Sequence, residues 1–183
     1  MQAAVEAGVY SPAIHQLRFE CTTGGGSRRG REEVLLTLRM LSINAGSAEA
    51  VAARKATAMS AGLHTAAVEL MQLAMEEQDE EELKVACAQL SWLCDGADPA
   101  REGRVRAVVR AGGVACLLGA LEYAASTSSA RGHLLTPGCT GLLRIAEVCE
   151  AEVRRPPLLD VGARRGGLGG SARWTDGLTR LMA

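Results

Sequence analysis

The chain has 183 residues, is 48% hydrophobic and 22% charged, and carries a net charge of -1, which excludes a generally disordered polymer and a polycation drawn by its overall field to nucleic acid or an anionic membrane. Only 3% of residues are aromatic, whereas a sandwich or barrel leans on Tyr, Phe, Trp, Val and Ile to fill its pleated faces. Ala, Leu, Glu and Arg favour helix, and the expected class is all-α.

From the N-terminus, MQAAVEAGVYSPAIHQ lacks the basic start and unbroken apolar centre of a secretory signal, and no later apolar run approaches the roughly 18 residues that span a bilayer. Within it begins the first of a series of glycine words: VEAGVYSPAIHQL around Gly8, MSAGLHTAAVELM around Gly62, VRAGGVACLLGAL around Gly112 and a degraded LDVGARRGG around Gly162, spaced by 54, 50 and 50. Gly at such a junction adopts the left-handed conformation that ends one helix and lets the next leave at a sharp angle. The following helix carries an apolar stripe, Leu63, Ala67, Leu70 and Met71 in one unit and Val114, Leu117, Leu118 and Leu121 in the next.

A second word lies midway: VLLTLRMLS, CAQLSWLCD and CTGLLRIAE. Its leading leucines, Leu38, Leu90 and Leu142, are spaced by 52 and 52, and each is followed three residues on by Leu41, Leu93 or Ile145. Each unit thus reads as a short helix ending at Ala-Gly, a second helix, a polar loop and a longer third helix. Units of about 2–60, 61–111 and 112–153 follow, with a Gly/Arg-rich tail at 154–183. In the last unit Thr136-Pro137 is read as the cap and first turn of the third helix, weakened after it by Gly138 and Gly141 at up to about 1 kcal/mol each.

The acidic run Glu76, Glu77, Asp79 to Glu82 stands at the entrance to a third helix, where negative charge is favoured; it reads as a solvated cap or a docking site for a basic partner. SRRGR and REGRVRAVVR read as solvated surface, with a phosphate-binding strip as the alternative. GGGS at Gly24 reads as a flexible loop. None of the six cysteines forms a C-x-x-C pair or has a His at ligand spacing, so they read as small buried hydrophobes in a reducing, intracellular setting, cytoplasmic or nuclear. His15, His64 and His133 are scattered, with His64 expected to face solvent, and nothing gathers a nucleophile and a base. No enzyme activity, metal or cofactor is expected.

The tail contains Pro-Pro, many glycines, and six Arg against two Asp, which predicts a poorly ordered extension whose segment from Trp174 to Met182 covers the last unit. Neither end of the chain reads as a cap, which favours a piece of a longer array.

The Ala-Gly-Val words, the Leu-Leu-x-x-Leu pattern of VACLLGAL and the third-helix pattern of CAQLSWLC resemble the armadillo repeat family over roughly residues 2 to 150. The spacing exceeds the ~40–47 residues usual for such repeats, an excess that the loops TTGGGSRRG and ASTSSARG absorb. The resemblance implies a right-handed α-solenoid of three-helix repeats that binds a protein or peptide segment in a groove lined by its third helices. In importin-alpha-like members that helix carries an Asn and a Trp four residues apart, and the ladder of Asn side chains clamps the peptide backbone. The matching positions here hold Met40, Trp92 and Arg144, and Leu36, Ala88 and Thr140, so nuclear-signal binding is not implied.

Candidate groove residues are Met40, Trp92 and Arg144, with Asp95 and Glu147 on the same face. Trp92 is either packed between adjacent third helices or an exposed anchor of the kind that dominates binding energy. The expected function is a non-catalytic adaptor with a protein or peptide partner and no nucleic acid. The alternative is a regulatory end-piece of a larger protein such as a kinase or ubiquitin ligase.

Overall fold

The computed structural model describes residues 8–22, 27–42, 46–127 and 131–153, with the backbone alone at 22, 131–133, 135 and 150–153. The word around Gly162, the tail, the Gly24 loop and the His133 side chain lie outside the described residues. Among the described residues all regular structure is helical: α1 (Tyr10–Thr22), α2 (Arg28–Leu41), α3 (Ala48–Ser60), α4 (Leu63–Glu77), α5 (Glu80–Cys94), α6 (Arg101–Arg110), α7 (Gly113–Ser126) and α8 (Arg131–Val153). The expected helix, glycine, helix, loop, helix order occurs twice complete, as α3–α4–α5 and α6–α7–α8, and its last two helices occur once more as α1–α2.

The glycine junctions have the conformation read from sequence. Gly62 and Gly112 both sit at φ +88, and Gly8 at +71. The amides of Gly62 and Gly112 close the preceding helices by donating to Met59 O and Val109 O at 3.0 Å. After Gly112, α7 departs from α6 at 70°. A Cβ at Gly62 or Gly112 would meet nothing within 4 Å, so backbone conformation alone selects glycine there.

The second and third helices of each unit stack on those of the next, with α5 packed against α2, α4, α6 and α8. Leu38, Leu90 and Leu93 are fully buried, and Leu63, Ala67, Leu70 and Met71 line the core as their spacing predicts. In the last unit Val114 and Leu117 are buried but Leu118 is 42% exposed, a departure from the predicted stripe. Gly138 and Gly141 are explained by close approach. A Cβ at Gly138 would lie 2.9 Å from Leu121 Cδ2, and one at Gly141 would lie 3.2 Å from Leu117 Cδ1.

Three expectations are corrected. Pro137 does not open α8: the helix begins six residues earlier, with fully buried Leu134 holding the added turns against the core, and Pro137 lies inside it. The arginine segments SRRGR and REGRVRAVVR are not wholly solvated surface, since Arg31 and Arg104 are buried, and the acidic run is not wholly a solvated cap, since Glu82 is buried too. Arg31 and Glu82, each 3% exposed, form an ion pair between units, and Arg31 also bonds Glu77. Asp79 caps α5 by accepting from Glu82 N at 3.1 Å and pairs with Arg28 at 2.9 Å. Lastly, His64 is half-buried at the start of α4, with its Nδ1 buried and lacking a hydrogen-bond partner, where solvent exposure was expected.

Of the cysteines, Cys87, Cys94 and Cys116 are buried as predicted, and burial pushes the Cys87 and Cys94 thiols up to about 12. Cys139 instead lies exposed on α8. No single helix among the described residues is long and apolar enough to cross a membrane.

Candidate functional site

The third helices α2, α5 and α8 lie side by side, α2 against α5 and α5 against α8. The register Met40, Trp92, Arg144 gives three different environments. Met40 is 55% exposed, and with Leu36 one turn earlier it forms an open apolar pair on α2. Trp92 is 8% exposed and belongs to the core, so its reading as an exposed anchor gives way to the packed one. Arg144 is partly exposed and pairs with Asp95 at 3.2 Å and Glu147 at 3.6 Å. Three of the five candidate residues therefore converge, Trp92 lies in the core, and Met40 stands apart on α2.

The C-terminal end of α5 organises this cluster. Helix α5 ends at Cys94 with no basic residue in its last turn, so its terminal carbonyls require donors from elsewhere. Three cations supply them. Arg104 Nε donates to Leu93 O at 2.9 Å, Arg101 Nε to Cys94 O at 2.9 Å, and Lys55 Nζ to Asp95 O at 2.9 Å. Positive charge at a helix C-terminus also complements the helix dipole. Arg104 further grips Asp98 with two bonds of 2.7 Å, and this pairing holds the Asp98 carboxyl below its ordinary pKa.

Arg101 then bridges to the neighbouring third helix, donating to Arg144 O at 3.2 Å and to the Glu147 carboxylate. That hydrogen bond from Arg101 lowers the Glu147 pKa, with Arg144 adding to it. Lys55 is 2% exposed, and its ammonium lies 5.5 Å from the Trp92 ring centroid, a cation–π contact inside the array. Burial lowers the Lys55 pKa, opposed chiefly by the charge of Asp95.

Beside this network an open cleft of about 340 Å³ is lined by Ala97, Asp98, Pro99, Arg101, Glu102, Glu147 and Val148. Sequence reading missed Lys55, Arg101 and Arg104. For the arginines a signal existed: Arg101, Arg104, Val105 and Val108 recur at three- and four-residue steps, which sets Arg104 on the buried stripe of α6.

The cluster presents paired, partly exposed charges at a cleft margin, suited to polar contacts with an extended or irregular surface. No group of three or more His, Cys, Asp or Glu side chains that could hold a metal occurs among the described residues. No protein-family model matches the chain, and no curated protein or solved structure matches it either.

Proposed function

We propose that the chain is a non-catalytic interaction scaffold built of armadillo-like units, which holds a peptide segment or a folded partner on the face formed by α2, α5 and α8. The observation that carries this reading is the gathering of Asp95, Arg144 and Glu147, drawn from two neighbouring units, at the margin of the cleft lined by Asp98, Arg101 and Glu102. Charged side chains that are partly exposed and already paired, Glu147 with Arg101 and Arg144, and Arg144 with Asp95, lose little freedom on meeting a partner, which favours recognition at low entropic cost. The exposed pair Leu36 and Met40 adds an apolar contact on the same run of third helices. The repeated helix order and the positive-φ glycines support the armadillo-like assignment.

The test is selection from a random peptide display library on the full chain, followed by titration of the selected sequences against wild type, Arg144→Glu and Met40→Asp. The reading requires that Arg144→Glu weaken the selected peptides by roughly tenfold or more, the value of one good charge-assisted contact of about 1.4 kcal/mol. Selected peptides indifferent to both substitutions would remove the third-helix face from consideration.

A further inference from the structure

The outer face of α7 and α8 is the counterpart of a face that is covered within the array. Val68 on α4 is 5% exposed and Cys87 on α5 is fully buried. The Cα of Ser91 lies 3.8 Å from where a Cβ on Gly141 of α8 would stand, so this side of α4 and α5 is where the next unit sits. Shifting by the register of 50 residues for second helices and 52 for third helices gives Leu118, Cys139 and Leu143. Leu118 is 42% exposed, Leu143 is 60% exposed and Cys139 is exposed. An apolar stacking face is thus open on α7 and α8, with a cysteine among its residues.

We propose that residues 174–182 of the same chain seat on this face. That segment, WTDGLTRLM, carries Trp174, Leu178 and Leu181 at steps of four and three, an apolar stripe at helical period. Its reach is sufficient. A chain of 20 residues, the number between α8 and Trp174, can reach at most roughly 66 Å, against about 15 Å along α8 from Val153 back to Leu143 at 1.5 Å per residue. Charge favours the same docking. Residues 1–153 hold 14 Lys and Arg against 19 Asp and Glu, whereas residues 154–183 hold six Arg against two Asp, with Arg173 next to Trp174 and Arg180 next to Leu181 in the sequence. A tethered segment also meets its site at high effective concentration, so a modest contact area suffices. This inference rests on Leu118, Cys139 and Leu143 and not on the groove pair Asp95 and Arg144, and its readout, the alkylation of Cys139, needs no partner, so either can fail without the other.

Cys139 reports on the face. In the full-length chain its alkylation by N-ethylmaleimide is followed by peptide mass spectrometry, in wild type and in Trp174→Asp, Leu178→Asp, at two protein concentrations. The variant is expected to label about tenfold faster, the factor for a segment seated nine-tenths of the time. Cys87 and Cys94, fully buried, stay unlabelled in both and show that the helices are intact. Equal Cys139 rates in the two chains would overturn the proposal. So would a protection that grows with protein concentration and survives the substitutions, since that assigns the face to a second copy.

Discussion

Arg31 on α2 and Glu82 on α5 stand 51 positions apart in the chain and lie against each other in the core, Arg31 Nε donating to the two carboxylate oxygens at 2.9 and 3.0 Å. One unit is thereby locked to the next by a pair hidden from water. Removing one partner leaves a buried charge uncompensated, so Arg31→Leu is expected to lower stability by about 3–5 kcal/mol, whereas Arg31→Leu combined with Glu82→Leu restores most of it. Urea denaturation of the three chains, followed by circular dichroism, measures both differences.

Trp92 and Met40 occupy the same register position but separate folding from binding. Trp92→Ala removes a core side chain and is expected to cost about 3–5 kcal/mol, while Met40→Ala, at an exposed site, changes stability by no more than about 0.5 kcal/mol. Thermal and urea midpoints check this. Only the Met40 variant is then usable in binding comparisons.

The junction glycines make a paired prediction. Gly112→Ala meets no atom within 4 Å and suffers only from φ +88, a penalty of about 1–2 kcal/mol that Gly112→Asn largely escapes because Asn tolerates the left-handed region. Gly113→Ala sets a Cβ 2.6 Å from Val108 Cγ1 and 2.9 Å from Val108 O, so backbone as well as side chain must yield, and its loss should be larger than that of Gly112→Ala. Chemical denaturation of the three variants orders them.

His64 should make the fold acid-sensitive near neutral pH. Burial, with the nearby Arg110 charge, lowers its pKa below the ordinary 6.5, so the neutral imidazole is the folded form. As pH falls through 6.5 the unfolded chain takes up this proton first, and stability declines until the folded pKa is passed. His64→Gln should flatten that decline between pH 7 and 5, as read from urea midpoints across the range; an unchanged slope would contradict the assignment.

Much of the helical framework was legible because its signals are local. The Ala-Gly words need only their own neighbours to force a positive φ, and Leu38, Leu41, Leu90 and Leu93 mark the buried side of their helices by spacing alone. The interior charges were not legible in the same way. Arg31, Lys55, Glu82 and Arg104 look like surface residues until partners 6 to 51 positions away are known, since only the pairing makes their burial tolerable. Arg31 does share a stripe with Leu35 and Leu38, a hint that composition-based reading of SRRGR overrides. For the candidate site, the convergence of Asp95, Arg144 and Glu147 follows from their shared face, but Arg101, the residue that orients Glu147, comes from a first helix that the groove reading did not include.

The partner face is tested most directly by site-resolved photo-crosslinking. A benzoylphenylalanine is placed at position 40, at position 147 or, as control, at exposed position 60 of the full-length chain, and adducts formed in cell extract are identified with and without Arg144→Glu. The account predicts a common partner captured at 40 and 147, absent at 60, and reduced roughly tenfold by Arg144→Glu. Equal capture at all three positions, or adducts at 40 and 147 that ignore Arg144→Glu, would contradict it.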